Sequence, residues 1–150
     1  MFHKFASFLL LLFTSAMVAT APRSLDDLQV SDAWVRAMPP VSKMTAAYAS
    51  FTNSGKQEIK IIGFSSPQYR SVSLHQTVVG EDGLSRMEEL PQLLVGAGQT
   101  VALQPGGKHL MLMSPTEENP AKINIVITFS DKSSIEMEFD IKNKQSLLSR

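Results

Sequence analysis

An all-β domain, an antiparallel sandwich or Greek-key barrel, is the fold that this sequence predicts, on three observations. Short apolar stretches of strand length recur from about residue 28 to residue 142, clusters of turn-forming residues separate them, and no stretch holds a helical period. With 150 residues there is room for one domain with an ordinary core, and 43% hydrophobic against 19% charged residues keeps the chain in the globular range.

In chain order, the first segment is not part of that domain. Lys4 supplies a short basic start, Phe5 to Ala19 is apolar apart from Ser7, Thr14 and Ser15, and Ala19-Thr20-Ala21 ends the run with small residues. These are the three parts of a secretory signal, and about fifteen apolar residues fall short of the ~20 a spanning helix needs. Residues 1–21 are therefore read as a signal peptide for export to the periplasm, 22–27 as a mobile lead, 28–142 as the domain and 143–150 as a flexible polar tail. Export exposes a protein to an oxidising compartment where disulfides are common, yet the chain has no cysteine and eight methionines. Its stability must come from packing, and any soft-metal chemistry must come from thioethers.

The candidate strands are Leu28–Arg36, Ala46–Asn53, Glu58–Ser65, Ser71–Thr77, Leu84–Glu88, Gln99–Leu103, His109–Ser114, Lys122–Phe129 and Ile135–Ile141. Turns are marked by Asn53-Ser54-Gly55, Gly80-Glu81-Asp82-Gly83, Pro105-Gly106-Gly107 and Asp131-Lys132-Ser133. Two of the strands declare their buried faces. Ile123, Ile125 and Ile127 share one side, and Ile135, Met137, Phe139 and Ile141 alternate with Glu136, Glu138 and Asp140. Met137 is accordingly a packing residue, and Trp34 is expected in the core with Arg36 as a structural hydrogen-bond donor. Met38 and Met44 are assigned to a loop or to packing.

Formal net charge is zero, so no basic stripe exists to neutralise phosphates and nucleic acid is not a partner. Chemistry concentrates instead around the two histidines that follow the signal. In His109-Leu110-Met111-Leu112-Met113, a period of two puts His109, Met111 and Met113 on one face and the leucines on the other. By the same alternation Val72 and Leu74 face the core, and Ser71, Ser73 and His75 face away from it. A hairpin centred near Glu81-Asp82 would bring Met87 opposite His75, within ~5 Å between Cβ atoms. Two imidazoles with two or three thioethers form a soft, neutral set that selects Cu(I) over zinc, calcium or magnesium. No carboxylate is evident beside either histidine. Blue-copper chemistry needs a cysteine thiolate, and no G-x-S-x-G is present, so the chain is not expected to be an enzyme.

His75, eleven residues, Met87, twenty-one residues and His109-x-Met111 form a pattern that resembles the PCuAC periplasmic copper chaperones. The landmarks Asp32-Ala33-Trp34-Val35-Arg36-Ala37, Pro39-Pro40, Ala46-Ala47-Tyr48, Asn53-Ser54-Gly55 and Leu103-Gln104-Pro105-Gly106-Gly107 carry the same resemblance over residues 28–142. It implies a cupredoxin-like β-sandwich binding one Cu(I) through His75, Met87, His109 and Met111. It also implies delivery to an acceptor, either cytochrome c oxidase subunit II during CuA assembly or a Sco-type protein. Separately, the chain is expected to be a monomer without membrane attachment once the signal is cleaved. Gln76 stands at the family's optional methionine position, and residues 143–150 lack the His and Met that give some relatives a Cu(II) site. Met113 is a secondary candidate ligand. Copper storage or detoxification without transfer, or a metal-free interaction sandwich, are the alternative readings.

Overall fold

A computed structural model of the chain describes residues 25–39, 41–118 and 120–143. The signal segment 1–21, lead residues 22–24 and tail residues 144–150 lie outside the described residues. Within them the chain forms ten strands: β1 (Leu28–Arg36), β2 (Met44–Asn53), β3 (Ile59–Ser65), β4 (Tyr69–Val79), β5 (Ser85–Glu89), β6 (Leu93–Val95), β7 (Thr100–Leu103), β8 (Lys108–Pro115), β9 (Lys122–Phe129) and β10 (Ser134–Lys142). One 3₁₀ turn, Leu25–Asp27, precedes them, and its last carbonyl accepts hydrogen bonds from the amide and hydroxyl of Ser54. No helix among the described residues is long and apolar enough to cross a membrane.

The strands hydrogen-bond in the order β5-β4-β8-β2-β1-β10-β9-β3-β6, with β7 on the second half of β2. All pairings are antiparallel except β1 with β10. That parallel contact refines the antiparallel expectation. Parallel neighbours cannot be joined by a hairpin, and here nearly the whole domain connects the two strands. The ladder coils so that its two halves face each other as a sandwich. Val35, Ala47, Ala49, Phe51, Leu74, Leu110 and Leu112 from one half meet Ile59, Ile61, Ile123, Ile125, Ile127, Phe129 and Phe139 from the other. Each fully buried Leu, Ile or Phe contributes about 1.5–3 kcal/mol relative to exposure, so this layer is what replaces disulfides.

The strand β6 was absent from the expectation because three residues between Pro91 and Gly96 are too few to display a period. The alternation in β1 also hides a change of face. Pairing with β2 slips between Ser31 and Trp34, where Asp32 takes a left-handed conformation (φ 51°). Leu28 is buried before this bulge and Val35 after it, so the inward parity reverses. Trp34 therefore points to the outer face, where it is buried against Tyr48 (ring centroids 4.5 Å apart) and not within the main core cluster. Arg36 does donate a hydrogen bond, to the Tyr48 hydroxyl at 3.0 Å.

Candidate metal centre

The loop between β7 and β8 sets the first histidine. Gly107 N–H donates to the Gln104 carbonyl at 3.0 Å, and Gly106 has φ 80°, the value that the third position of a Pro-Gly type II turn demands. The turn delivers the chain into β8 with Gly107 facing His109. Nδ1–H of His109 donates to the Gly107 carbonyl at 3.1 Å; a carbonyl only accepts, so Nε2 is left with its lone pair. The same carbonyl accepts the Thr77 amide at 3.2 Å, which ties this turn to β4.

Across that seam, β4 and β8 pair His75 with His109, Ser73 with Met111 and Ser71 with Met113. Leu74 pairs with Leu110 and Val72 with Leu112 on the opposite, core-facing side, so the expected division of faces is what the ladder shows. The imidazole centroids lie 6.0 Å apart with the ring planes 23° from parallel. Imidazole nitrogens bind a metal in the plane of the ring at about 2 Å, so an ion shared by both would sit at the rings' common edge and not between their stacked faces.

His75 adds a second signature. Its Nε2 is 2.9 Å from the Ser73 hydroxyl, while Nδ1 is buried with no hydrogen-bond partner. A buried nitrogen left unpaired costs about 1–3 kcal/mol, and a bound ion would remove that cost when Nδ1 holds a lone pair. The donor set thus fits a metal at this place. No group of three or more His, Asp or Glu able to hold an ion exists among the described residues.

The position of Met87 differs from the expectation. It pairs with Thr77, and Glu89 is the residue opposite His75. The hairpin is centred on Asp82, one position later than the Glu81 centre that a pairing of Met87 with His75 would require. Gly80 N–H donates to the Leu84 carbonyl, and the Asp82 carboxylate accepts Leu84 N–H at 3.1 Å. Shifting the centre by one residue moves the pairing by two, so Met87 keeps the same face as His75 and lies diagonal to it. Diagonal neighbours have Cα atoms about 7–8 Å apart, within reach of a long thioether. Met87 is 60% exposed and free to swing, whereas His109 is only 5% exposed. Both were expected to face outward; His109 is on the outer face of its sheet yet covered. Met111 is half-buried beside Ser73 and Ala46.

The sequence reading missed two neighbours. Glu89 is the residue paired with His75, and only the register reveals it. Met44 lies on β2 opposite Met113, because β2 begins two residues earlier than expected. Tyr48 is on the same face of β2 as Met44 and Ala46, and burial holds its phenol above the ordinary value of 10.0 against the opposing pull of the Arg36 charge and hydrogen bond.

Comparison with known proteins places this arrangement. The family model described as putative lipoprotein LpqE-like matches residues 28–141, from the start of β1 almost to the end of β10. A putative lipoprotein of Leifsonia xyli subsp. xyli, Lxx21020, is 34% identical over 131 residues, covering 85% of this chain and 77% of its own. Among solved structures, copper(I)-bound DR1885 from Deinococcus radiodurans superposes with a TM-score of 0.60 at 32% identity, over 75% of this chain and 76% of that one. Apo DR1885 covers 96% of this chain and 97% of its own at 28% identity, with a TM-score of 0.62. The copper-bound PCuAC domain of PmoF2 gives 0.65 over 78% of this chain and 93% of that one; at 18% identity it speaks for the fold alone. From the matched span, the identities and the shared sandwich, the chain belongs to the LpqE-like family, a PCuAC-like family of cupredoxin-like β-sandwiches.

Proposed function

We propose that this protein is an exported copper chaperone that takes up one Cu(I) through His75, Met87, His109 and Met111 and yields it to an acceptor. The observation that carries the reading is the directly paired histidines, 6.0 Å apart, with one nitrogen buried and unpartnered and two methionines on their shared face. The copper(I) form of a relative 32% identical supports the same metal. Thioether and imidazole are neutral and soft, which suits Cu(I). A family model and a relative both described as putative lipoproteins support export to the cell envelope, in line with the signal read over residues 1–21.

The residues divide the work. His109, tied through Nδ1 to Gly107, is the fixed anchor; Met111 sits two residues on along the same strand. Met87 rides on the exposed hairpin β4–β5 and is the ligand easiest to displace. An incoming thiolate would replace Met87 first, so copper passes by ligand exchange with no change of oxidation state and no catalysed reaction. CuA assembly in cytochrome c oxidase, directly or through a Sco-type protein, is the destination that the family resemblance favours.

X-ray absorption on the one-to-one Cu(I) complex tests the ligand set. Two sulfur and two nitrogen neighbours are expected, falling to one sulfur in Met87→Leu. A shell of nitrogen and oxygen alone would overturn the reading.

A further inference from the structure

Beyond the four proposed ligands, the same face of the sheet carries a second pair of thioethers. Met113 on β8 pairs with Met44 on β2, one step along the strand from Met111, which pairs with Ala46. Directly opposed residues have Cβ atoms about 4.5–5.5 Å apart, and successive residues on one face of a strand are separated by about 6.6 Å. The side chains flanking the two sulfurs are small: Ser71 lies on the other side of Met113, and Ser73 and Ala46 bracket Met111. Nothing bulky on these rungs separates the three methionines.

Packing does not account for this pair. Leu110 and Leu112, fully buried on the opposite face of β8, already supply that strand's share of the core. Met44 is 56% exposed, Met113 half-buried. A single exposed methionine needs no explanation. Two that oppose each other, one rung beyond a proposed copper ligand, make a set with donor chemistry. The backbone beneath them is pinned. Ser114 N–H donates to the Lys43 carbonyl at 2.8 Å, and the Ser42 hydroxyl donates to the Met44 carbonyl at 2.8 Å. The thioether ends retain their own torsional freedom, so a fixed base carries adaptable ligands.

The geometry points to a second soft-metal site at Met44 and Met113, linked through Met111 to the histidine pair. It would hold Cu(I) or another soft monovalent cation. With two neutral thioethers, no imidazole and a solvent-facing position, it binds more weakly than the site containing His75 and His109. Its place on the face makes it a loading or unloading station. An ion held by Met44 and Met113 gains Met111, then His109, as the outer thioethers let go, and the reverse order releases it. Only lone-pair donors exchange; no electron or proton is transferred. This inference rests on the proposed function for the destination of the ion, but its site can be tested separately.

The test uses Ag(I), a soft monovalent ion without redox chemistry, added to protein labelled with ¹³C in the methionine methyl groups. The first equivalent should shift the Met87 and Met111 methyl signals, and a second, weaker equivalent those of Met44 and Met113. Met44→Leu with Met113→Leu preserves side-chain size, and should abolish the second event and leave the first unchanged. His109→Ala with Met111→Ala should abolish the first while Met44 and Met113 still respond. A normal first event with silent Met44 and Met113, or a second event that survives the double leucine variant, would overturn this inference alone. A response confined to Met44 and Met113 in the parent would overturn the proposed four-ligand site and leave this one standing. Silence at all four methionines would overturn both.

Discussion

At His109, one hydrogen bond to the Gly107 carbonyl decides which ring nitrogen can meet a metal, and the turn sequence Gln104-Pro105-Gly106-Gly107 decides where that carbonyl points. The face on which His75, His109, Met111 and Met113 lie was legible because a strand alternates with period two, whatever its partners. Which residues stand opposite one another was not legible, because the hairpin register depends on where the Asp82 carboxylate closes the turn. Burial separates the two methionines proposed as ligands. Met87, 60% exposed, should tolerate Met87→Ala with a stability change within about 0.5 kcal/mol. Met111, half-buried between strands, should lose about 1–2 kcal/mol on truncation to Ala. Both changes should weaken Cu(I) binding. Urea unfolding of the metal-free variants beside the parent measures the difference, and equal stability losses would contradict the assigned positions.

Among the elements, β5 carries Met87 yet gives nothing to the core, since every one of its residues is exposed, and its place depends on the turn that joins it to β4. Its turn is held by Asp82, whose carboxyl lies below its usual 3.8 because Arg86 and the Leu84 amide hydrogen-bond to the ionised form. A depressed carboxylate stabilises the folded turn above pH 3.8, and that contribution is lost as pH falls through the lowered value. Protection of the Leu84 amide, its exchange relative to the unstructured chain at the same pH, should therefore hold on acidification to pH 3.8 and fall only below it. Asp82→Ala, which removes the acceptor, should leave the Leu84 amide poorly protected at every pH. Farther from the site, Asn53 joins three segments: its fully buried amide donates to the carbonyls of Gln57 and Val95 and accepts from Gly55 N–H. Asn53→Ala leaves those groups unpaired and should cost about 2–3 kcal/mol in denaturant unfolding. The sequence marked Asn53-Ser54-Gly55 as a turn, but not that it anchors β6, since a three-residue strand shows no pattern of its own. The bulge at Asp32 was equally hidden, because an extra residue preserves composition while reversing which side of β1 is buried.

For the whole molecule, the sandwich was readable from strand length, spacing and turn chemistry, which are local properties. The parallel contact of β1 with β10 was not, because it joins the two ends of the domain. The two tyrosines report on the integrity of the fold as a unit. Burial raises the phenol of Tyr69 as well as that of Tyr48, where Arg36 opposes the rise. Folding then favours the protonated phenols, a contribution complete below pH 10.0 and lost as pH climbs through the raised values. Tyrosinate absorbance should appear above pH 10.0 in the folded protein and at 10.0 after unfolding, and coincident curves would contradict the burial of both rings. The central claim, that the face bearing His75, Met87, His109 and Met111 exists to carry copper, is met most directly by a Cu(I) titration against a competing chelator. The parent and the His109→Ala/Met111→Ala variant would be titrated side by side, each shown to be folded. Tight uptake of the first equivalent by the parent and its loss in the variant is the predicted result. A folded parent that takes no Cu(I) from the chelator, or a variant that binds as tightly as the parent, would contradict it.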